Sequence, residues 1–224
     1  MDKFFVAISV LLFTLYSVTA QNIMTASSFF QSVSENYGTI TDYEANLEIT
    51  QDGNKYSGTV SFKRPNLLRI DYTRPAEQVV VFNGDTLTIY LPGIQQTLLQ
   101  TLPSSSDSAG MNLATPQGLG LMSRYYTIAY EIGQNAVPLD EASTEMVIKL
   151  VLYPKTTSEG FRQIKLAISP DSKLIRRVEA TTTQGKFFMF LFSDYRINQG
   201  LPDQRFVYDA PPSANNFNNF LFSE

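Results

Sequence analysis

The sequence predicts a mainly β fold: one antiparallel sheet, strongly curved or partly closed into a barrel, with a helix or two packed inside or against it. Three observations carry this. After about residue 41 the apolar residues change from a helical spacing to strict alternation, the signature of half-buried strands. Turn signals then divide the chain into about eleven short segments. With 43% hydrophobic residues, including 16 Phe and 12 Tyr, the 224-residue chain has ample material for one core. It shows no internal repeat and no linker, so a single domain is expected.

The first element is a helix over residues 26–37. Thr25 is its N-cap, Phe29, Phe30, Val33 and Tyr37 form one apolar face, and Gly38 ends the run. In residues 42–51 the odd positions Tyr43, Ala45, Leu47 and Ile49 are apolar against Asp42, Glu44, Asn46 and Glu48. Asp52-Gly53-Asn54 is a turn. In 55–63, Tyr56, Val60 and Phe62 oppose Ser57, Thr59 and Ser61, and Leu68, Ile70 and Tyr72 continue the pattern after Pro65. Residues 79–82 form a strand, Asn83-Gly84 a tight hairpin turn, and 86–90 and 95–102 two more strands. Residues 103–115 read as loop, and Thr115-Pro116 caps a short helix reaching about Ser123. Strands follow at 125–133, 145–153, 161–169, 173–182 and 186–193. A last short strand is expected at 206–208 before Pro211-Pro212, and residues 213–224 form a tail rich in Asn and Phe.

Composition removes whole classes of chemistry. The chain has no His, Cys or Trp, so it offers no histidine base, thiolate nucleophile, disulfide or cysteine metal site. Its 17 basic and 21 acidic residues leave a formal charge of −4, which argues against a nucleic-acid partner. Charged residues make up 17%, below the usual ~25%. Glu44, Glu48, Asp71 and Glu179 are the carboxylates an enzyme would draw on, and each reads as a solvated-face residue. No nucleophile-elbow motif accompanies the serines. No enzyme activity and no cofactor are expected.

Residues 1–20 carry Lys3, an apolar run from Phe4 to Leu15, and the small residues Val18 and Ala20 at a cleavage site. The run is shorter than a membrane span needs. The expectation is a signal peptide cleaved after Ala20 and an exported chain, and the absence of an Asn-x-Ser/Thr sequon favours a bacterial envelope over a eukaryotic secretory route.

Two strands are too apolar for a sheet wetted on one side. In residues 186–193 Phe187, Met189 and Leu191 share one face and Phe188, Phe190 and Phe192 the other, and residues 79–82 are apolar on both faces. Either a helix packs on the outer face or one face lines an apolar cavity suited to flexible chains.

A series of motifs bears on that choice. Residues 58–67 read GTVSFKRPNL, followed by Tyr72-Thr73-Arg74-Pro75, then VFNGDTLTIY over 81–90, then Gln95-Gln96. Asn198, Leu201-Pro202-Asp203, Phe206, Tyr208 and Pro211-Pro212 close the chain. In order and spacing this resembles the periplasmic outer-membrane lipoprotein carrier (LolA) family, most densely over residues 58–96. The resemblance implies an unclosed half barrel of about eleven strands over residues 21–212, with a helical lid over an apolar cavity. It implies a monomeric carrier that binds lipoprotein acyl chains, receives them from an inner-membrane ATP-driven release complex and passes them to an outer-membrane receptor. The family's functional arginine falls on Arg64, implied to be a buried latch bonded to lid backbone, with the lid in residues 111–123. An aromatic often found four residues later is Leu68 here. The cavity wall is expected from Tyr43, Leu47, Ile49, Val60, Phe62, Leu68, Ile70, Val80, Phe82, Leu87, Ile89, Phe188, Phe190 and Phe192. A carrier or sensor of free lipids or glycolipids on the same fold is the alternative.

Overall fold

The structure, a computed structural model, describes residues 24–102 and 115–220. Helix α1 spans Ala26–Thr39 and starts where the sequence places it: the Thr25 hydroxyl accepts the Ser28 N–H at 3.1 Å. Ala26, Phe29, Phe30, Val33 and Tyr37, at helical spacing, are its buried face. Helix α2 spans Pro116–Tyr125, capped by the Thr115 hydroxyl on the Gly118 N–H at 3.1 Å, with Pro116 in its first turn.

The strands are β1 (Asp42–Gln51), β2 (Asn54–Lys63), β3 (Leu67–Arg74), β4 (Val79–Phe82), β5 (Thr86–Leu91), β6 (Gln96–Thr101), β7 (Tyr126–Tyr130), β8 (Val137–Pro138), β9 (Met146–Pro154), β10 (Phe161–Ile168), β11 (Ile175–Thr182), β12 (Phe187–Ile197) and β13 (Asn215–Asn218). They run in the order β13-β6-β5-β4-β3-β2-β1-β12-β11-β10-β9-β7, with β8 on β9. Every pairing is antiparallel except that of β13 with β6. The two ends of the order, β13 and β7, do not pair, so the sheet is an unclosed barrel. The turns are built as their residues demand. Asn83 Oδ1 accepts the N–H groups of Asp85 and Thr86 at 3.1 and 2.9 Å, and Gly84 takes a φ of 102°.

Register aligns the apolar faces into continuous rows. Ile197, Tyr43, Phe62, Leu68, Phe82 and Leu87 succeed one another across β12-β1-β2-β3-β4-β5. A second row links Leu150, Leu166, Val178, Phe190 and Ile49. These inward residues and the two helices form one large apolar cluster. Gly58 is required within it. It lies at a bulge in the β2–β3 pairing, where an added Cβ would sit 2.2 Å from the Asp71 carbonyl oxygen.

Three expectations are revised. The segment expected as a strand at 206–208 enters as a 3-10 turn, Asp203–Phe206, because the Arg69 guanidinium takes the Arg205 and Val207 carbonyls at 3.0 and 3.3 Å. The tail is not separate from the domain, since Asn215–Asn218 adds a strand beside β6. The outer faces of the doubly apolar strands are covered by irregular segments rather than by a helix. Tyr208 and Ala214 pack on Val79, Val81 and Tyr90, and Leu139 lies in a cluster with Val147 and Ala167 against which Leu191 packs. Residues 1–20 lie outside the described residues, as do 111–114 of the expected lid.

Candidate functional site

The inward face of the half barrel differs from one end to the other. At the end nearest the last turn of α1, Tyr43, Leu47, Val60, Phe62, Leu68, Phe82 and Leu87 are all buried. At the opposite end, where the β1–β2 and β11–β12 hairpins turn, Ile49, Tyr56, Ile70, Tyr72, Val80, Ile89, Leu98, Phe188 and Phe190 on the same face are only partly buried. Of the fourteen residues expected to form a cavity wall, all but Phe188 belong to the main apolar cluster or pack against it. Phe188 pairs with Ala180 and Gln51 at the hairpin end. Phe217 of β13, opposite Leu98, extends this face and is 53% exposed.

Hydrogen bonds fix α1 over the closed end. The Tyr37 hydroxyl accepts the Ile175 N–H at 3.0 Å and lies 3.5 Å from the Tyr195 hydroxyl, which donates to the Ile175 carbonyl at 2.8 Å. Burial raises the Tyr37 phenol pKa, and raises those of Tyr43 and Tyr195 further, so all three stay neutral. Tyr195 was not foreseen as an inward residue. A register shift in the β1–β12 pairing, with Asp194 at a φ of 51°, puts both Phe192 and Tyr195 against the cluster, where the Tyr195 ring centroid lies 5.5 Å from that of Tyr43. Further ties are Asn36 to the Ser172 carbonyl at 3.1 Å and Tyr130 to the Met24 carbonyl at 2.8 Å.

Arg64 belongs to this set in a way that differs from the expectation. It is exposed rather than buried, and among the described residues its guanidinium donates to the Gly38 carbonyl in the last turn of α1. The chemistry explains the choice. The last carbonyls of a helix lack partners and carry partial negative charge, and α1 has no basic residue of its own in that turn.

Helix α2 is held otherwise. Leu119 and Met122 are buried in the main cluster. Polar ties described for it lie at its C-terminal end, where Lys155 Nζ donates to the Ser123 and Arg124 carbonyls at 3.1 and 3.0 Å and the Lys155 N–H to the Tyr125 carbonyl at 2.9 Å. Between α1 and β7 runs a cleft of about 400 Å³ lined by Ser27, Phe30, Gln31, Ser34, Ser123, Tyr126, Thr127, Ile128 and Lys155.

Three of the four carboxylates singled out are tied into ion pairs on the outer face. Glu44 meets Arg196 and Arg205, Asp71 meets Arg69 and Arg205, and Glu179 meets Arg177 at 2.9 Å. Glu48 is exposed. Among the described residues no group of three or more carboxylates is placed to hold a metal ion.

Comparison with known proteins places this architecture. The outer-membrane lipoprotein carrier protein of Pseudomonas paraeruginosa is 26% identical over 172 residues, 75% of this chain and 76% of that one. Its namesake from Dechloromonas aromatica is 24% identical over 169 residues, 74% of each. An uncharacterised conserved protein from Thermus thermophilus shares the fold with a TM-score of 0.56 at 16% identity, over 87% of this chain and 99% of that one. The Mycobacterium tuberculosis lipoprotein LppX does so with 0.51 at 11% identity, over 79% and 97%. Residues 48–209 match the model of the family described as outer membrane lipoprotein carrier protein LolA, and with most of its length so matched the chain belongs to that family.

Proposed function

We propose that this protein is a periplasmic carrier that shields the acyl chains of lipoproteins against its concave face, taking cargo from an ATP-driven inner-membrane release complex and yielding it to an outer-membrane receptor. The observation that supports this best is the graded concave face: an apolar wall, buried beneath α1 at one end and partly exposed at the hairpin end, in a sheet that does not close.

The energetics require a carrier to hold back. Burying an acyl chain stabilises by about 0.8 kcal/mol per CH₂, so one long chain approaches ~12 kcal/mol and a nanomolar constant. Two or three chains held as fully would never be released. Opening a closed empty state reduces this affinity. Helix α2 is the element suited to open. Gly118 and Gly120 each weaken it by about 1 kcal/mol relative to Ala, and the contacts described for its buried Leu119 and Met122 are apolar, which acyl chains can replace. Helix α1 is tied by polar bonds that acyl chains cannot replace, and Arg64 is the latch on its last turn.

Two experiments test this. Depletion of the protein, followed by tracking of lipoproteins, is expected to strand outer-membrane lipoproteins at the inner membrane; unchanged distribution contradicts the carrier role. Arg64→Leu is expected to fold and to accept lipoprotein but to fail in delivery, and normal delivery by that variant removes the latch. Mass spectrometry of co-purified ligand separates lipoprotein cargo from free lipid.

A further inference from the structure

The tyrosines of the concave face fall into two kinds. Tyr37 and Tyr195, at the closed end, have their hydroxyls engaged with each other and with the Ile175 backbone. Tyr56 and Tyr72, at the hairpin end, do not. Their rings meet edge to face with centroids 6.4 Å apart, and neither hydroxyl has a hydrogen-bond partner among the described residues. Both face inward: Tyr56 pairs with Ile49, and Tyr72 pairs with Gly58, which pairs with Leu47. Burial raises the Tyr72 phenol pKa, with the Tyr56 phenol adding to it, so it remains a proton donor. Neither hydroxyl is among the buried polar atoms left without a partner, so each is open to solvent and can exchange water for an acceptor on a ligand.

The surroundings narrow the acceptor. Along the inward positions of β1–β6 and β12 the side chains are apolar, aromatic, Gly, Asn or Gln, and none is charged. On that face a neutral carbonyl matches a neutral phenol donor, while the cations of this end, Lys55, Arg74 and Lys186, stand on outward positions or in the β11–β12 turn rather than on the inward face. This end of the β1–β6 wall stays partly exposed where the other is buried, so the polar end of an acylated ligand lies here while its tails run toward the buried rows.

We infer that Tyr56 and Tyr72 form a rim that reads the ester carbonyls of a diacylglyceryl group, fixing the ligand with its head at the hairpin end. The inference rests on the carrier reading above and adds a chemical requirement to it: recognition of esters, not of hydrocarbon alone. The same diacylglyceryl ester occurs in lipoproteins and in phospholipids.

The test uses the full mature chain and matched probes. One pair is a dipalmitoylglyceryl-cysteinyl peptide and the same peptide carrying dihexadecyl ethers; the other is the corresponding ester and ether phosphatidylglycerols. Two neutral hydrogen bonds are worth roughly a factor of ten. The expected result is that the wild type prefers an ester probe to its ether partner about tenfold, while Tyr56→Phe/Tyr72→Phe, which keeps both rings, binds the two alike at the ether level. A preference in the peptide pair assigns the rim to lipoproteins; one confined to the phospholipid pair keeps the rim and overturns lipoproteins as its source. No ester preference in the wild type, or a preference that survives the double substitution, overturns the rim while leaving acyl binding intact. Failure of the wild type to bind any of the four probes overturns the carrier reading itself.

Discussion

The two ends of the concave face are made from the same residue types in the same strands, yet they differ in what completes them. At the closed end Tyr43, Phe62, Leu68 and Phe82 are buried, and α1 is bonded over them through Tyr37, Asn36 and the Arg64 guanidinium. At the hairpin end Ile49, Tyr72, Val80, Leu98 and Phe188 continue the same rows with no described helix bonded down on them. The difference teaches that the closed end is ordinary core, made to hold the fold, while the hairpin end is apolar surface kept in reserve. Stability and binding should therefore respond to substitutions at opposite ends.

The largest expected effect is at the closed end. Phe62→Ala should destabilise by about 3–5 kcal/mol, the cost of emptying a buried aromatic site. Phe188→Ala should cost about 1 kcal/mol or less, because its ring is only partly buried, yet weaken acyl binding. Urea denaturation and lipopeptide titration of the two variants check this; equal stability losses would erase the distinction between the ends.

The tyrosine bonds over the closed end come next. Tyr37→Phe strands the buried Ile175 N–H and should cost about 1–3 kcal/mol. It also bears on alkaline stability. Tyr37, Tyr43 and Tyr195 have folded-state pKa values above the ordinary 10.0, chiefly through burial. Below pH 10 both states hold these protons and nothing is lost. Above it the unfolded chain ionises first, binds fewer protons than the native state, and stability falls by up to about 1.4 kcal/mol per pH unit for each tyrosine. Melting curves from about pH 9 to 11.5 should show this decline, shallower in Tyr37→Phe.

The smallest expected effect lies in α2. A Cβ added at Gly120 would meet nothing within 4 Å, so Gly120→Ala fits without clash. It should stabilise the helix by about 0.5–1 kcal/mol and slow lipopeptide uptake, read by stopped-flow fluorescence. Faster or unchanged uptake would mean that α2 is not the moving part.

The sequence made much of this legible. Thr25 and Thr115-Pro116 announce the helix starts, Asn83-Gly84 announces its hairpin, and the alternation in residues 42–72 sorts the inward residues correctly. What it hid depends on pairing between distant segments. Tyr195 turns inward only because of the irregularity around Asp194. The stretch around Phe206 has the residue types of a strand, but the Arg69 fork draws its carbonyls into a turn against the outer face. The Asn-rich tail carries no strand pattern, and edge hydrogen bonds to β6 make it one. Arg64 could be placed by its motif, but its partner could not, since the end of α1 lies 26 residues earlier in the chain. Nor could unpartnered hydroxyls be distinguished from satisfied ones: Tyr37 and Tyr72 look alike until the register brings Ile175 to one and not to the other.

The most direct test of the reserved apolar surface uses the absence of native cysteine. Single cysteines replacing Phe188 and Leu98 on the hairpin end of the concave face, and exposed Glu48 on the outer face, are labelled with an environment-sensitive fluorophore and titrated with a diacylglyceryl lipopeptide. The expected result is a saturable blue shift at positions 188 and 98 and none at 48. A shift confined to position 48, or none at the two concave positions under saturating lipopeptide, would contradict it.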